Sequence, residues 1–257
     1  MRSVLGDGGA SGGAVSNGVG PTPGAGPTSS VGATTDAAST SFPAAKYRIV
    51  LIGVDHARAS PATAATSARP WQLPNGVVVN VDGPMVGALI ASRASVEAGD
   101  LLATEHSIAG LVPFVAAAAP GAVIVPLAVR PNAAPADVRA LAAALDIDDP
   151  TTRVVAAVDF AHGLSVAETA ANGRTAVAAL AALDVDAVGR WDDAHADGRG
   201  ALRLAMELAE RAGATSWTTL AVTDASALAG WAGGGVTGYV VGCWGVRAAG
   251  GAPLRYP

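Results

Sequence analysis

Three of the four histidines stand at the ends of predicted strands or helices, each close to an acidic residue. These pairs are Asp55 with His56, Glu105 with His106, and Asp159 with His162. Neutral imidazole is a common ligand of iron, copper and zinc, and imidazole also moves protons near neutral pH. Two histidines and one carboxylate with open coordination positions suit non-haem Fe(II). The residue types therefore favour a metal site or acid–base chemistry at these element ends.

The same residues also have purely structural interpretations. Asp55 and Asp159 would accept hydrogen bonds from backbone amides in a turn, and Glu105 would stabilise the positive end of a helix dipole. The fourth histidine, His195, lies among three aspartates within residues 192–197, which is typical of a solvated loop. Each structural interpretation is adequate alone, but the recurrence of Asp and His after two separate strands favours a site.

The elements that must position these residues follow an α/β pattern. From Tyr47 onward, short β-branched segments alternate with Ala- and Leu-rich segments of helical period, as in a largely parallel central sheet flanked by helices. The predicted strands are Arg48–Val54, Val77–Val81, Ala122–Val129, Arg153–Val158, Thr218–Val222 and Thr237–Trp244. The predicted helices are Pro84–Arg93, Ser107–Ala118, Pro135–Leu145, Ser165–Leu183 and Arg199–Ala212. In such sheets ligands bind beyond the carboxyl ends of the strands, where His56 and His162 are expected.

The N-terminal segment has a different composition. Residues 1–45 are dominated by Gly, Ala, Ser, Thr and Pro, with three charged residues and one aromatic residue. Such a segment cannot bury enough apolar area to offset the entropy of ordering, so we expect a flexible, low-complexity region before a single α/β domain of residues 46–257. The first ten residues lack the apolar core of a secretory signal, so the cytoplasm is the expected location.

Composition excludes several classes of protein. The 257 residues are 51% hydrophobic and 14% charged, yet they contain no apolar run of about 18 residues that would predict a membrane span. The net charge of −5 is spread along the chain, which argues against nucleic-acid binding. The single cysteine, Cys243, cannot form an internal disulfide or supply a cysteine-based zinc site.

Four segments carry a resemblance to a known family through their order and spacing. They are Val50-Leu51-Ile52-Gly53-Val54-Asp55-His56, Trp71-Gln72-Leu73-Pro74-Asn75-Gly76, Glu105-His106-Ser107-Ile108 with Pro113-Phe114, and Val158-Asp159-Phe160-Ala161-His162. In this order they resemble the Memo family, whose bacterial and archaeal members are called AmmeMemoRadiSam system protein B. The Glu-His-Ser-Ile segment followed by Pro-Phe is the most specific part of the resemblance.

The resemblance implies a fold similar to the catalytic subunit of class III (LigB-type) extradiol dioxygenases, a non-haem iron architecture. His56 matches the metal-ligand histidine at the end of the family's strand. His162 matches the pocket histidine of the Asp-Phe-x-His segment, which in the dioxygenases is a proton-transfer residue. The family name also implies radical-SAM system proteins as possible partners.

Two positions depart from the family pattern. Pro23-Gly24-Ala25-Gly26 stands where the family has Pro-His-Ala-Gly, so Gly24 replaces a metal-ligand histidine. Asp197 stands where the family has a cysteine, which exchanges a soft thiolate for a hard carboxylate. The resemblance therefore implies either an Fe(II) site held by His56 and Asp197 or a pocket without metal. His106 and His195 are the histidines available to take the place of the ligand that Gly24 replaces.

Binding and enzymatic roles both fit these residues. The first hypothesis is a divergent Memo-family protein with a weakened or vacant metal pocket that binds a small molecule or a protein partner. The alternative is a ring-opening non-haem Fe(II) dioxygenase acting on a small aromatic, with His162 as the acid–base residue and Glu105 or Asp159 orienting a histidine. A third hypothesis is a hydrolase or carrier that uses Glu105, His106 and Asp159.

Overall fold

The computed structural model describes residues 47–230 and 235–246. The predicted flexible region, residues 1–45, and the segment 23–26 with Gly24 lie outside the described residues. None of the described helices is long and apolar enough to cross a bilayer.

The described elements alternate strands and helices along most of the chain. The strands are β1 (Arg48–Val54), β2 (Ala64–Thr66), β3 (Trp71–Gln72), β4 (Val78–Val81), β5 (Ser95–Glu97), β6 (Val123–Val129), β7 (Thr152–Ala156), β8 (Phe160–Leu164), β9 (Ala214–Asp224) and β10 (Val236–Val246). The helices are α1 (Gly83–Ala91), α2 (Gly99–Thr104), α3 (His106–Ala109), α4 (Val112–Ala118), α5 (Pro135–Ala144), α6 (Val166–Ala182), α7 (Val185–Arg190), α8 (Arg199–Arg211) and α9 (Ala225–Ala229).

The main sheet has seven strands, with β1 inside it. Its order is β3-β4-β6-β1-β7, and β2 pairs with β5 and β6 at the side. β1 pairs in parallel with both β6 and β7, and β4 pairs in parallel with β6, whereas β3 with β4 and β2 with β6 are antiparallel. The predicted fold class, a largely parallel sheet flanked by helices, is confirmed.

β1 is buried on both faces from Ile49 to Val54, where no residue is polar. Val50, Ile52 and Val54 pack into one core cluster with α1, α5 and α8. Ile49 and Leu51 face the opposite cluster, with α2, α3 and α4. Each buried aliphatic side chain of this kind contributes about 1.5–3 kcal/mol. This packing fixes the carboxyl end of β1, after which Asp55 and His56 follow.

The last two predicted strands form a second sheet with β8, a strand that was not predicted. His162 was expected after the strand of residues 153–158 and instead lies inside β8. β8, β10 and β9 pair antiparallel in that order, and helix α6 packs against all three strands. The sequence pattern predicted the strands of residues 218–222 and 237–244 without separating them from the main sheet. Strand periodicity carries no information about the pairing partner, which explains why the second sheet was not predicted. It matters for the site because β8 carries His162.

The predicted helix Ser107–Ala118 is two helices. α3 ends at Ala109, and α4 begins at Val112 with Pro113 in its first turn. Proline has no amide hydrogen and clashes with the preceding turn, so it is tolerated there but not inside a continuous helix. The break leaves α3 as a short helix whose first residues lie at the end of β1.

Candidate functional site

His56 is the centre of the candidate site. Its Nδ1 lies 2.8 Å from Glu105 Oε1, and its Nε2 lies 2.9 Å from Asp197 Oδ2. Its backbone N–H donates to Glu105 Oε2 at 3.2 Å. The imidazole is therefore held by a carboxylate at each ring nitrogen, while 31% of the side chain remains exposed.

Glu105 is held in place by the start of α3. Its carboxylate accepts hydrogen bonds from the Ser107 backbone N–H at 3.1 Å and from Ser107 Oγ at 2.9 Å. Ser107 Oγ also accepts from the Val54 backbone N–H at 2.9 Å, which ties α3 to the last residue of β1. One buried carboxylate therefore both caps α3 and bonds to the ring and backbone of His56.

Gly53 allows this close approach of α3 to β1. A Cβ at this position would lie 2.4 Å from Ser107 Oγ and 2.8 Å from Ile108 Cδ1. A larger residue would require the side chains of Ser107 and Ile108 to shift. Sequence reasoning did not select Gly53 or Ser107 as site residues, although a glycine inside an apolar strand is a recognised sign of close backbone approach.

Asp197 reaches the site from the loop before α8. Its Oδ1 accepts a hydrogen bond from the Asp159 backbone N–H at 3.1 Å, and its own N–H donates to the Asp159 carbonyl at 3.2 Å. The next residue, Gly198, lies directly against β1, because a Cβ there would be 2.3 Å from Val54 Cγ2. The carboxylate is largely buried, with 11% of its side chain exposed.

Asp159 and His162 stand on the other side of Asp197. His162 Nε2 lies 3.2 Å from Asp159 Oδ2, and the two side chains are 47% and 39% exposed. Ala161 between them has a φ of 56°, a left-handed conformation that a residue with a Cβ rarely adopts. Donor atoms of Asp159, His162 and Asp197 all lie within 4.8 Å of one another.

His106 lies against the face of His56. The two ring centroids are 4.4 Å apart with planes 26° from parallel. His106 Nδ1 is 3.5 Å from Glu105 Oε1, and 74% of its side chain is exposed. His56, Glu105 and His106 form a second group whose donor atoms lie within 4.8 Å of one another.

All six residues selected from the sequence therefore fall into two adjoining groups. The hydrogen bond between His56 and Asp197 connects the two groups. Together the six residues are called the strand-end cluster: His56, Glu105, His106, Asp159, His162 and Asp197. Their sequence neighbours Asp55 and His195 have other partners. Asp55 accepts backbone hydrogen bonds from Ala59 and Ser60, as the turn interpretation predicted. His195 Nδ1 lies 2.7 Å from Asp192 Oδ1, and His195 belongs to neither group.

The carboxylates determine the charge state of His56. Burial alone would lower the pKa of His56, but the hydrogen bonds and negative charges of Asp197 and Glu105 raise it above its usual 6.5. Burial alone would raise the pKa of Glu105, but bonds from Ser107 and His56 lower it below its usual 4.5. At mildly acidic pH the pair is therefore an imidazolium and a carboxylate.

Two separate groups of side chains carry donors that fit a divalent cation, namely His56 with Glu105 and His106, and Asp159 with His162 and Asp197. Glu105 on Nδ1 is the kind of carboxylate partner that orients a histidine so that Nε2 faces a metal. His56 Nε2 and Asp197 Oδ2 are 2.9 Å apart, a hydrogen-bond distance that connects the two groups. Asp159 and His162 offer further oxygen and nitrogen donors beside Asp197. Mixed nitrogen and oxygen donors suit iron, zinc or manganese.

Comparison with known proteins gives one family. The model of the Memo-like protein family matches residues 22–239, a range that contains the whole strand-end cluster. No curated protein matches the chain. Because the family match spans most of the sequence, the chain belongs to the Memo-like protein family.

Proposed function

We propose that this protein is a divergent Memo-family member with a weakened metal pocket, and that it binds a small molecule at the strand-end cluster. The observation that carries the proposal is the contact between His56 and Asp197, which puts a carboxylate beside the oriented imidazole. The family resemblance implies a thiolate at the position of Asp197. Exchanging thiolate for carboxylate lowers affinity for soft metal ions and leaves a harder, weaker site.

The position of His106 also supports a weakened pocket. Its ring stacks on His56, and its Nδ1 lies 3.5 Å from Glu105 Oε1. His106 therefore belongs to the group of His56 and Glu105, which does not contain Asp197. It therefore does not supply a second imidazole beside His56 Nε2 and Asp197. Only Asp159 and His162 extend the donor set there within the described residues, and both are substantially exposed.

The exposed side of the cluster supports small-molecule binding. His106, His162 and Asp159 present two imidazoles and a carboxylate to solvent. Buried Glu105 lies 3.5 Å from His106, and Asp197 accepts a hydrogen bond from the Asp159 N–H. Such a surface offers both hydrogen-bond donors and acceptors at fixed positions. The expected ligand is a small polar molecule with hydroxyl, amino or carboxyl groups.

A ring-opening dioxygenase is the second candidate function. The resemblance to LigB-type enzymes and the placement of His162 beside Asp159 favour it, because an exposed imidazole next to a carboxylate can accept a substrate proton. His56 and Asp197 would hold Fe(II), and Glu105 would orient His56. The iron would supply the oxygen chemistry when bound. A partnership with radical-SAM proteins, implied by the family name, is a further proposal.

Ligand-observed NMR with a library of small polar and aromatic fragments tests the binding function. We expect fragments that bind wild-type protein and lose binding in both His162→Gln and Asp159→Asn. His195→Gln is the matched control, since this histidine pairs with Asp192 outside the cluster. Fragments that bind all variants equally would overturn the proposal.

Turnover separates the two candidate functions. After anaerobic loading with Fe(II), the protein is exposed to O2 and catechol, and the ring-opened product is followed by absorbance. We expect no product above the level of His56→Ala. Product formed by wild type and His195→Gln but not by His56→Ala would replace the binding proposal with the dioxygenase.

A further inference from the structure

A cavity outside the strand-end cluster has a strongly positive lining. It has a volume of about 230 Å³ and lies where the segment after β6 meets the first turns of α5 and α8. Its lining consists of residues 131–135, Gly189 of α7, and Arg199, Gly200 and Arg203 of α8. The lining contains two arginines and no acidic residue, and none of the strand-end cluster takes part in it.

Arg203 is a buried cation. The residue is 7% exposed, and its Nε has no hydrogen-bond partner among the described residues. Its guanidinium lies against Gly189, where an added Cβ would be 3.0 Å from Nη1. Burying a guanidinium without a carboxylate or other acceptor is costly, so such a group indicates a missing partner.

Arg199 supplies a second cation on the same face of α8. The two arginines are four residues apart, which places them one turn apart on the helix. The Arg199 guanidinium donates to the Trp191 carbonyl and to Asn132 Oδ1, which are both neutral oxygens. Within the described residues the arginines that pair with carboxylates are Arg48, Arg58 and Arg69, so neither Arg199 nor Arg203 is neutralised in this way.

The adjoining helices add to the positive potential. α8 has 13 residues and α5 has 10, and neither has a side chain that caps its N-terminus. The first residues of both helices line the cavity, so the positive ends of their dipoles lie beside it, and the Gly200 N–H donates to the Pro131 carbonyl. Asp137 in the first turn of α5 is exposed and does not line the cavity.

We propose that this cavity binds an oxyanion, namely the phosphate or carboxylate group of a small metabolite. The guanidinium of Arg203 presents planar, paired N–H donors that match either group, and Arg199 lies beside it. The cavity volume suits a small anion. The site is separate from the strand-end cluster and does not depend on metal there.

Inorganic phosphate and malonate are the probes for this site. Each is added to metal-free protein at an ionic strength matched with sodium chloride, and binding is measured by calorimetry and by the unfolding temperature. At saturating anion we expect the unfolding temperature of wild type to rise by about 3 °C or more above that in chloride. If only phosphate raises the unfolding temperature, the cavity binds a phosphate group. If only malonate raises it, the cavity binds a carboxylate group. No shift with either anion would overturn the proposal.

Three variants test whether the anion binds in this cavity. Arg203→Met removes the buried charge, and Asn132→Asp places an isosteric carboxylate beside Arg199 at an exposed position. Both should weaken anion binding at least about tenfold, equivalent to about 1.4 kcal/mol. Arg139→Met, an exposed arginine of α5 outside the lining, is the matched control and should bind like wild type. If Arg203→Met does not fold, unchanged affinity in Asn132→Asp contradicts the proposal by itself.

Discussion

At the scale of single residues, the site depends on one imidazole held between two carboxylates. Glu105 is 5% exposed and bonds to both the ring and the backbone of His56, so it fixes the ring before any ligand arrives. Asp197 then meets the remaining ring nitrogen. This arrangement explains why the pKa of His56 rises although burial opposes its charge.

The first prediction concerns the pH dependence of stability. Because the folded-state pKa of His56 is raised above 6.5, its contribution is fully present below pH 6.5 and is lost as pH rises through the raised value. The lowered pKa of Glu105 gives a contribution present above pH 4.5 and lost as pH falls through the lowered value. The pair should therefore stabilise the metal-free protein most between pH 4.5 and 6.5.

His56→Gln tests this window by urea unfolding in the presence of a chelator. We expect the substitution to lower the free energy of unfolding by about 1 kcal/mol at pH 5.5, a figure that allows for solvent screening, and by less at pH 9. His195→Gln serves as the control for general effects of losing a histidine. An equal loss for His56→Gln at both pH values would contradict the assignment of charge to His56.

At the scale of elements, the sequence predicts the strand ends better than the contacts between them. The apolar run of β1 and the Asp–His pairs are local patterns, and His56 does follow the end of β1. His162 was expected after a strand but lies inside β8, which the sequence pattern did not predict. The partners of His56 are 49 and 141 residues away, at Glu105 and Asp197. No local pattern encodes such pairing, which depends on how α3 and α8 pack against β1.

Element boundaries were predicted wrongly where the local sequence pattern is weak or interrupted. Pro113 divides the predicted helix of residues 107–118, although its effect is readable in the sequence. The short strands β2, β3 and β5 have too few residues to show a period. The antiparallel pairing that positions His162 in β8 is a tertiary feature of the second sheet.

The second prediction tests the packing of α3 on β1. Gly53→Ala introduces a Cβ 2.4 Å from Ser107 Oγ, so Ser107 and Ile108 must shift, which disturbs the hydrogen bonds from Ser107 to Glu105 and from Val54 to Ser107. We expect a loss of about 2–3 kcal/mol in the free energy of unfolding, measured by urea denaturation. Gly87→Ala is the matched control, because nothing lies within 4 Å of a Cβ there and alanine favours helix α1. Equal effects of the two substitutions would contradict the close-approach argument.

At the scale of the whole molecule, the strand-end cluster draws on both described sheets. β1 of the main sheet leads into His56, β8 of the second sheet carries His162, and the loop before α8 supplies Asp197. The bridge between Phe160 and Ala196 aligns that loop with β8. A change in either sheet should therefore affect the cluster.

The third prediction concerns the N-terminal segment. Its low-complexity composition predicts that deletion of residues 1–45 changes the unfolding temperature by less than about 2 °C. The family match begins at residue 22, so a second deletion of residues 1–21 separates the segment outside the match from the part within it. A drop of several degrees on removing residues 1–45 but not 1–21 would show that residues 22–45 contribute a packed element.

The most direct test of the weakened pocket is the Zn(II) affinity of Asp197→Cys, measured by competition with a chromophoric chelator under reducing conditions. If Asp197 occupies a ligand position beside His56, a thiolate there should tighten Zn(II) binding at least about tenfold over wild type. Adding His56→Ala to Asp197→Cys should abolish this increase in affinity. Asp193→Cys is the control, since its side chain is 61% exposed in the same loop. Equal Zn(II) affinities of Asp197→Cys, Asp193→Cys and wild type would contradict the account.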